Sequence, residues 1–262
     1  MVPPQEVVRC KSAGKLMALL QVDNVSKSYG GVVANRDISI AVEDRSIVGL
    51  IGPNGSGKTT LFNSIVGSHP IDSGEIRFDG REISKLTVTH IAQLGLLRTF
   101  QQTRIYRQMT CVENMLISIS ERDRGFFSLF ASQHSNAAAQ VDELLEFVGL
   151  YEKRHLLAGD LSFGQQKLLE FAMALMNEPR MLLLDEPTAG INPTLINGLI
   201  DRLKRANAEL GVTLLVIEHN MRVVMDIAER IYCLAHGELL AEGLPSDIQN
   251  NPLVIDAYLG AH

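Results

Sequence analysis

Residues 46–60 read SIVGLIGPNGSGKTT. The stretch 46–51 is an apolar run, short enough for a strand buried on both faces. It passes into Gly52-Pro53-Asn54-Gly55-Ser56-Gly57-Lys58-Thr59-Thr60, and LFNSIVG at 61–67 then repeats apolar residues at helical spacing. Strand, glycine loop and helix, in that order, form the context in which Gly-x4-Gly-Lys-Ser/Thr holds phosphate. Glycines let backbone N–H groups close around an anion, and the helix that follows adds the positive end of its dipole. Lys58 is then expected to reach the β- and γ-phosphates, and the Thr59 hydroxyl to coordinate Mg²⁺. Average residue frequencies produce the pattern by chance in on the order of 1 % of chains this long. Nucleotide binding is therefore favoured over an ordinary glycine turn before a helix.

Outward from that loop, the chain reads as strands alternating with helices. Short alternating runs from Leu19 to about Val42 predict strands, with Gly30-Gly31 as a turn. Apolar runs at 181–184 and 213–217 predict two more buried strands. Between them Leu195, Ile196, Leu199, Ile200 and Leu203 mark one face of a helix, with Pro193 in its first turn. Residues 230–242 read as a hairpin turning at His236-Gly237. The stretch 86–178 is mostly helical in pattern and poor in strand signals, which suggests a second lobe inserted between sheet strands. The expected fold is α/β, with a mainly parallel core sheet covered on both faces. Residues 1–16 carry two prolines and no sustained periodicity, and read as a loose tail; Met17 is an alternative start.

Composition narrows the class. Apolar residues at 46 % and charged residues at 21 % of 262 are the mixture of a folded protein. A net charge of −6 argues against a general nucleic-acid binder. Cys10, Cys111 and Cys233 show no metal-ligand spacing and read as reduced thiols. No apolar run reaches the roughly 18 residues of a membrane span, so service to a membrane would pass through a partner.

Two further motifs carry chemistry. MLLLDE at 181–186 is a buried strand ending in two acids. After a phosphate loop, Asp185 is expected to hold Mg²⁺ and Glu186 to orient or deprotonate the attacking water. LSFGQ at 161–165 precedes a helix, and Ser162 is a good cap for it.

Leu161-Ser162-Phe163-Gly164-Gln165 resembles the Leu-Ser-Gly-Gly-Gln signature of ATP-binding-cassette (ABC) ATPases. Phosphate loop, signature and Asp-Glu strand also stand in that family's order and spacing, and the resemblance covers about 19–262. It implies an N-terminal antiparallel β subdomain, a helical lobe at about 92–178, and a single ABC ATPase domain at 17–262. It further implies that Tyr29 stacks on adenine and that Gln101, in RTFQQ, touches Mg²⁺ and the lytic water. His219, in VIEHN, would be the switch histidine near the γ-phosphate. Ser162, Gly164 and Gln165 would close over ATP bound to another subunit, in a homodimer or in a heterodimer with a sister ATPase. The loop Ala189-Gly190-Ile191-Asn192 would meet that subunit; many family members carry Asp where this chain has Asn192, which hydrogen-bonds without charge. Phe163 also departs from the commonest signature, at a position not expected to hold phosphate.

Within the family, RTFQQTRIYRQMTCVENML at 98–116 and the C-terminal NNPLVIDAYLGAH at 250–262 resemble ATPases serving branched-chain amino acid uptake. The stretch containing GFFSLF at 125–130 is similar to their insertion, and equally suits a helix face or loop packed on the lobe. The resemblance implies integral membrane permease subunits and, indirectly, a solute-binding protein, with the chain on the cytoplasmic face of the membrane. ATPases for urea, short-chain amides or lipopolysaccharide export are near relatives. A DNA-repair or translation ATPase, or a cassette that binds ATP without hydrolysing it, are further alternatives. The chain lacks long coiled coils and a second cassette, and it keeps Lys58, Asp185, Glu186 and His219 together.

Overall fold

The structure is a computed structural model and describes residues 18–99, 105–119 and 131–259. The N-terminal tail, Gln101 and the 125–130 stretch lie outside the described residues. The elements are β1 (Ala18–Tyr29), β2 (Val32–Glu43), β3 (Ile47–Ile51), α1 (Lys58–Ile65), β4 (Ser73–Phe78), β5 (Arg81–Glu82), α2 (Val88–Gln93), β6 (Leu96–Arg98), α3 (Cys111–Ile117), α4 (Ala131–Phe147), α5 (Phe163–Leu175), β7 (Met181–Asp185), α6 (Pro193–Leu210), β8 (Thr213–Ile217), α7 (Met221–Ile227), β9 (Arg230–Ala235), β10 (Glu238–Gly243), α8 (Pro245–Gln249) and α9 (Pro252–Leu259).

They form two sheets. The first is antiparallel, in the order β2-β1-β4-β5; the second runs β10-β9-β3-β8-β7-β6. In the second, β9, β3, β8, β7 and β6 are parallel, and β10 returns antiparallel at the edge. The turn expected at Gly30-Gly31 and the hairpin expected at His236-Gly237 are both present, and each turn pair has positive φ.

Alternation along the central strands explains why their sequences are apolar without interruption. Leu182 and Leu184 of β7 and Leu214 and Val216 of β8 join one core cluster with Leu169, Leu199 and Leu203 of α5 and α6. Leu183 of β7 and Leu215 and Ile217 of β8 face the other way, into a cluster with Leu61, Phe62 and Ile65 of α1 and the inner face of the antiparallel sheet. Each strand is covered on both sides, so its interior positions are apolar on both faces. Truncating one such leucine to alanine is worth about 2–5 kcal/mol.

The helical lobe differs from the sequence reading in one respect. The stretch 86–178 contains β6, which pairs Leu96, Leu97 and Arg98 with Met181, Leu182 and Leu183 and belongs to the sheet. Three residues are too few for a period to show, and the strand is held by its neighbour β7. In the described part of the lobe, α3, α4 and α5 share the cluster containing Cys111, Leu145 and Phe171.

Candidate functional site

Parallel register brings the loops together. Leu50 pairs with Ile217, and Ile217 pairs with Asp185. The C-terminal ends of β3, β7 and β8 are therefore level, and Gly52, Glu186 and Glu218 leave them side by side. In open α/β sheets that edge is where ligands bind.

The loop 52–57 is wedged into place. A Cβ on Gly52 would sit 2.1 Å from the Leu234 carbonyl oxygen, and one on Gly57 would lie 2.4 Å from that of Ala34. Both glycines have positive φ, so no other residue fits either place. Gly57 caps α1 without a side-chain hydrogen bond, which leaves first-turn N–H groups of the helix for an anion. Lys58 is buried and donates through Nζ to the carbonyls of Gly52 and Pro53, each at 2.8 Å, and to Ser56 Oγ at 3.3 Å. Burial lowers its pKa, against the opposing pull of Glu186, Cys233 and Asp185. Asn54, Gly55 and Thr59 are exposed, while Pro53 and Thr60 are half-buried.

Asp185, 3 % exposed, forms a buried ion pair with Arg98 at 2.5 Å. The same guanidinium donates to Asn63 Oδ1 on α1 and lies 5.6 Å from the Phe62 ring centre. Glu186 has φ of +49°, a strained region for a residue with a side chain and one that clusters at functional sites. Its Oε1 lies 2.7 Å from His219 Nε2, so the two residues named separately from sequence meet in one pair.

Behind that pair stands Glu218, 2 % exposed. One oxygen accepts from the Thr188 N–H at 2.8 Å and the Thr188 hydroxyl at 2.6 Å. The other accepts from the N–H groups of His219 at 3.2 Å and Asn220 at 3.3 Å. Sequence reading missed Glu218 and Arg98. A lone acid at a strand end is an ordinary solvated residue, and an Arg before Thr-Phe-Gln has no periodic mark; a pairing partner was the needed signal.

Tyr29 lies at the tip of the β1–β2 hairpin, 42 % exposed, with His69 edge-on at 5.8 Å between centroids and Lys27 Nζ at 5.3 Å. At that exposure the ring is not part of the hydrophobic core. The same hairpin touches the loop, since Asn35 Nδ2 donates to the Gly57 carbonyl at 3.2 Å.

The signature segment sits at the start of α5 on the helical lobe. Ser162 Oγ accepts from the Gln165 N–H at 3.4 Å, and Gln165 Oε1 accepts from the Ser162 N–H at 3.1 Å, a reciprocal cap. Ser162 and Phe163 are exposed, Gly164 is buried and Gln165 half-buried. A Cβ on Gly190 would meet the Phe163 ring at 2.9 Å, so the unusual signature residue rests on the loop 189–192.

The described residues contain no group of three or more His, Cys, Asp or Glu side chains able to hold a metal. The oxygen donors Thr59 and Asp185 instead suit a hard ion that keeps waters and shares phosphate oxygens, as Mg²⁺ does.

Comparisons with known proteins agree with this geometry. Residues 35–189 match the ABC transporter family, and residues 238–262 match the branched-chain amino acid ATP-binding cassette transporter C-terminal family. The high-affinity branched-chain amino acid transport ATP-binding protein BraF of Pseudomonas aeruginosa is 40 % identical over 249 residues, covering 92 % of this chain and 98 % of BraF. LivG of Salmonella typhimurium, of the same description, is 39 % identical with the same coverage. The ADP conformation of MJ1267, an ATP-binding cassette of an ABC transporter, superposes with a TM-score of 0.81 at 32 % identity, covering 93 % of this chain and 99 % of that one. The chain belongs to the ATP-binding subunits of ABC transporters, in the group with the branched-chain amino acid C-terminal segment. It is an ATPase.

Proposed function

We propose that this chain powers import of branched-chain amino acids. It would work at the cytoplasmic face of the membrane, as one of two ATPases docked on integral permease subunits, with a solute-binding protein delivering cargo from outside. Support comes from the names of BraF and LivG and from the C-terminal match at 238–262. No described helix is long and apolar enough to cross a membrane.

In this reading the triphosphate lies over residues 52–60, with Tyr29 against the adenine. Lys58 exchanges its bonds with loop carbonyls for bonds to the β- and γ-phosphates. Thr59, Asp185 and Gln101 would hold Mg²⁺, which would neutralise phosphate charge when bound. Ser162, Gly164 and Gln165 of a second subunit, identical or sister, close over the γ-phosphate. ATP favours the closed dimer over the open one by contacts that ADP lacks. Glu186 orients or deprotonates the attacking water, and His219 holds both Glu186 and the γ-phosphate. Catalysis is mainly positioning and charge stabilisation. Phosphate release then opens the dimer.

The observation that carries this reading is the 2.7 Å Glu186–His219 pair at the sheet edge beside the Lys58 loop. The test is uptake of labelled leucine by cells that keep the permease subunits, the binding protein and the sister ATPase, with this chain supplied only from a plasmid. Uptake should depend on the chain and be lost in Lys58→Ala. Normal uptake in the variant, or none with the wild type, would refute the proposal.

A further inference from the structure

The C-terminal helix reaches the phosphate loop. The Gly52 N–H donates to the Tyr258 hydroxyl of α9 at 2.8 Å, across 206 residues of chain. The carbonyl of the same glycine accepts from Lys58. Gly52 is thus held at both ends, by a loop residue on one side and by the C-terminal segment on the other. When Lys58 turns to phosphate, it gives up that carbonyl, and Tyr258 stays as the side-chain anchor of the residue where β3 becomes the loop.

The helix itself is lightly attached. Val254 is its one buried residue, in a cluster with Ile51, Val224, Ile231 and Cys233. Leu253, Ile255 and Leu259 are exposed, and an apolar groove of about 720 Å³ opens between α9 and α7. Val254, packed in that cluster, and Tyr258, bonded to Gly52, both help to dock α9. The α7 helix follows directly on His219 and Asn220. One helix thus touches both the phosphate loop and the element beyond the switch histidine. Burial holds the phenol un-ionised, with its pKa pushed up to about 12, so the contact persists at any physiological pH.

We propose that Tyr258 is a positioning residue of the phosphate loop, and that docking of α9 and nucleotide occupancy favour each other through the Gly52 amide. The proposal rests on residues 52–60 being the nucleotide cradle. Coupling of this kind is reciprocal: whatever docking adds to affinity, nucleotide returns to docking. Without the hydroxyl, the buried Gly52 N–H loses its acceptor, the loop spends less time in the competent shape, and apparent affinity falls with that fraction.

The test uses the full chain and a slowly hydrolysed ATP analogue with Mg²⁺. Tyr258→Phe keeps the ring and is expected to weaken binding about five- to tenfold. In the wild type, nucleotide should slow amide hydrogen exchange across 252–258; in Tyr258→Phe it should not. A merely structural tyrosine would lower thermal stability and leave both nucleotide readouts alone, and that result overturns the proposal. If the variant fails to fold, exchange in the wild type decides: indifference of 252–258 to nucleotide overturns it. Wild-type binding in the same titration separates the two readings. With binding intact, an unchanged variant removes only the role of Tyr258; without it, the cradle assignment falls too.

Discussion

Replacing Glu218 by glutamine removes one charge and almost no volume. The two oxygens of Glu218 serve two donors each: the N–H and hydroxyl of Thr188, and the N–H groups of His219 and Asn220. Glutamine keeps one acceptor oxygen. Turned toward His219 and Asn220, its amide nitrogen can donate to the Thr188 hydroxyl but confronts the Thr188 N–H, in a place where Thr188 is 6 % exposed. An orphaned buried donor costs about 1–3 kcal/mol. In the opposite orientation the two switch-loop N–H groups lose their acceptor and turn to solvent, which carries the His219 ring away from Glu186. Misplacement of a positioning group by about 1 Å can cost on the order of a hundredfold, and the orientation that keeps the switch loop limits the loss, so about a tenfold fall in kcat is expected. Urea unfolding should show a loss of about 1–3 kcal/mol. Steady-state phosphate release should fall about tenfold while equilibrium Mg-ATP binding changes by less than about threefold. A Glu218→Gln variant with wild-type kcat would refute the idea that this carboxylate sets the position of His219.

Three further outcomes follow from the same geometry. Lys58→Ala should weaken ATP binding at least about tenfold, from the loss of charge-assisted bonds worth roughly 1.5–3 kcal/mol, and unchanged affinity in a titration would count against the loop. Arg98→Met leaves the buried Asp185 carboxylate unpaired and should destabilise the fold by about 3–5 kcal/mol in urea unfolding, with Asp185→Asn added on top restoring part of the loss; a cost below about 1 kcal/mol would contradict the ion pair. The Tyr258 phenol, raised by burial from 10.0 to about 12, binds its proton more tightly in the folded chain than in the unfolded one. Its contribution to stability is intact below pH 10 and is lost as pH rises through 12, so Tyr258→Phe should flatten the alkaline limb of a stability–pH curve.

Local signals made most of this architecture legible. The loop at 52–60 declares itself because glycine, lysine and hydroxyl spacing is fixed by phosphate geometry, and the strands at 47–51, 181–185 and 213–217 do so because burial on both faces leaves unbroken apolar runs. β6 stayed hidden, since a three-residue strand is defined by its partner β7 and not by a period of its own. The same division holds within the site. Glu186 and His219 were named from their motifs, but their meeting at 2.7 Å is a product of sheet register. Glu218, Arg98 and Tyr258 take their places from partners 30, 87 and 206 residues away, distances over which no local pattern operates. Gln101 and the stretch 125–130 are outside the described residues, so the structure adds nothing to those two expectations.

The central claim is that Glu186 directs water at ATP held over the Lys58 loop and sealed by a second subunit. Glu186→Gln tests it most directly, with phosphate release and sedimentation measured on one preparation with Mg-ATP. The account predicts turnover reduced at least about a hundredfold, together with a stable ATP-bound dimer, homotypic or with the sister ATPase added. Wild-type turnover in that variant, or a chain that stays monomeric with ATP bound and the sister subunit present, would contradict it.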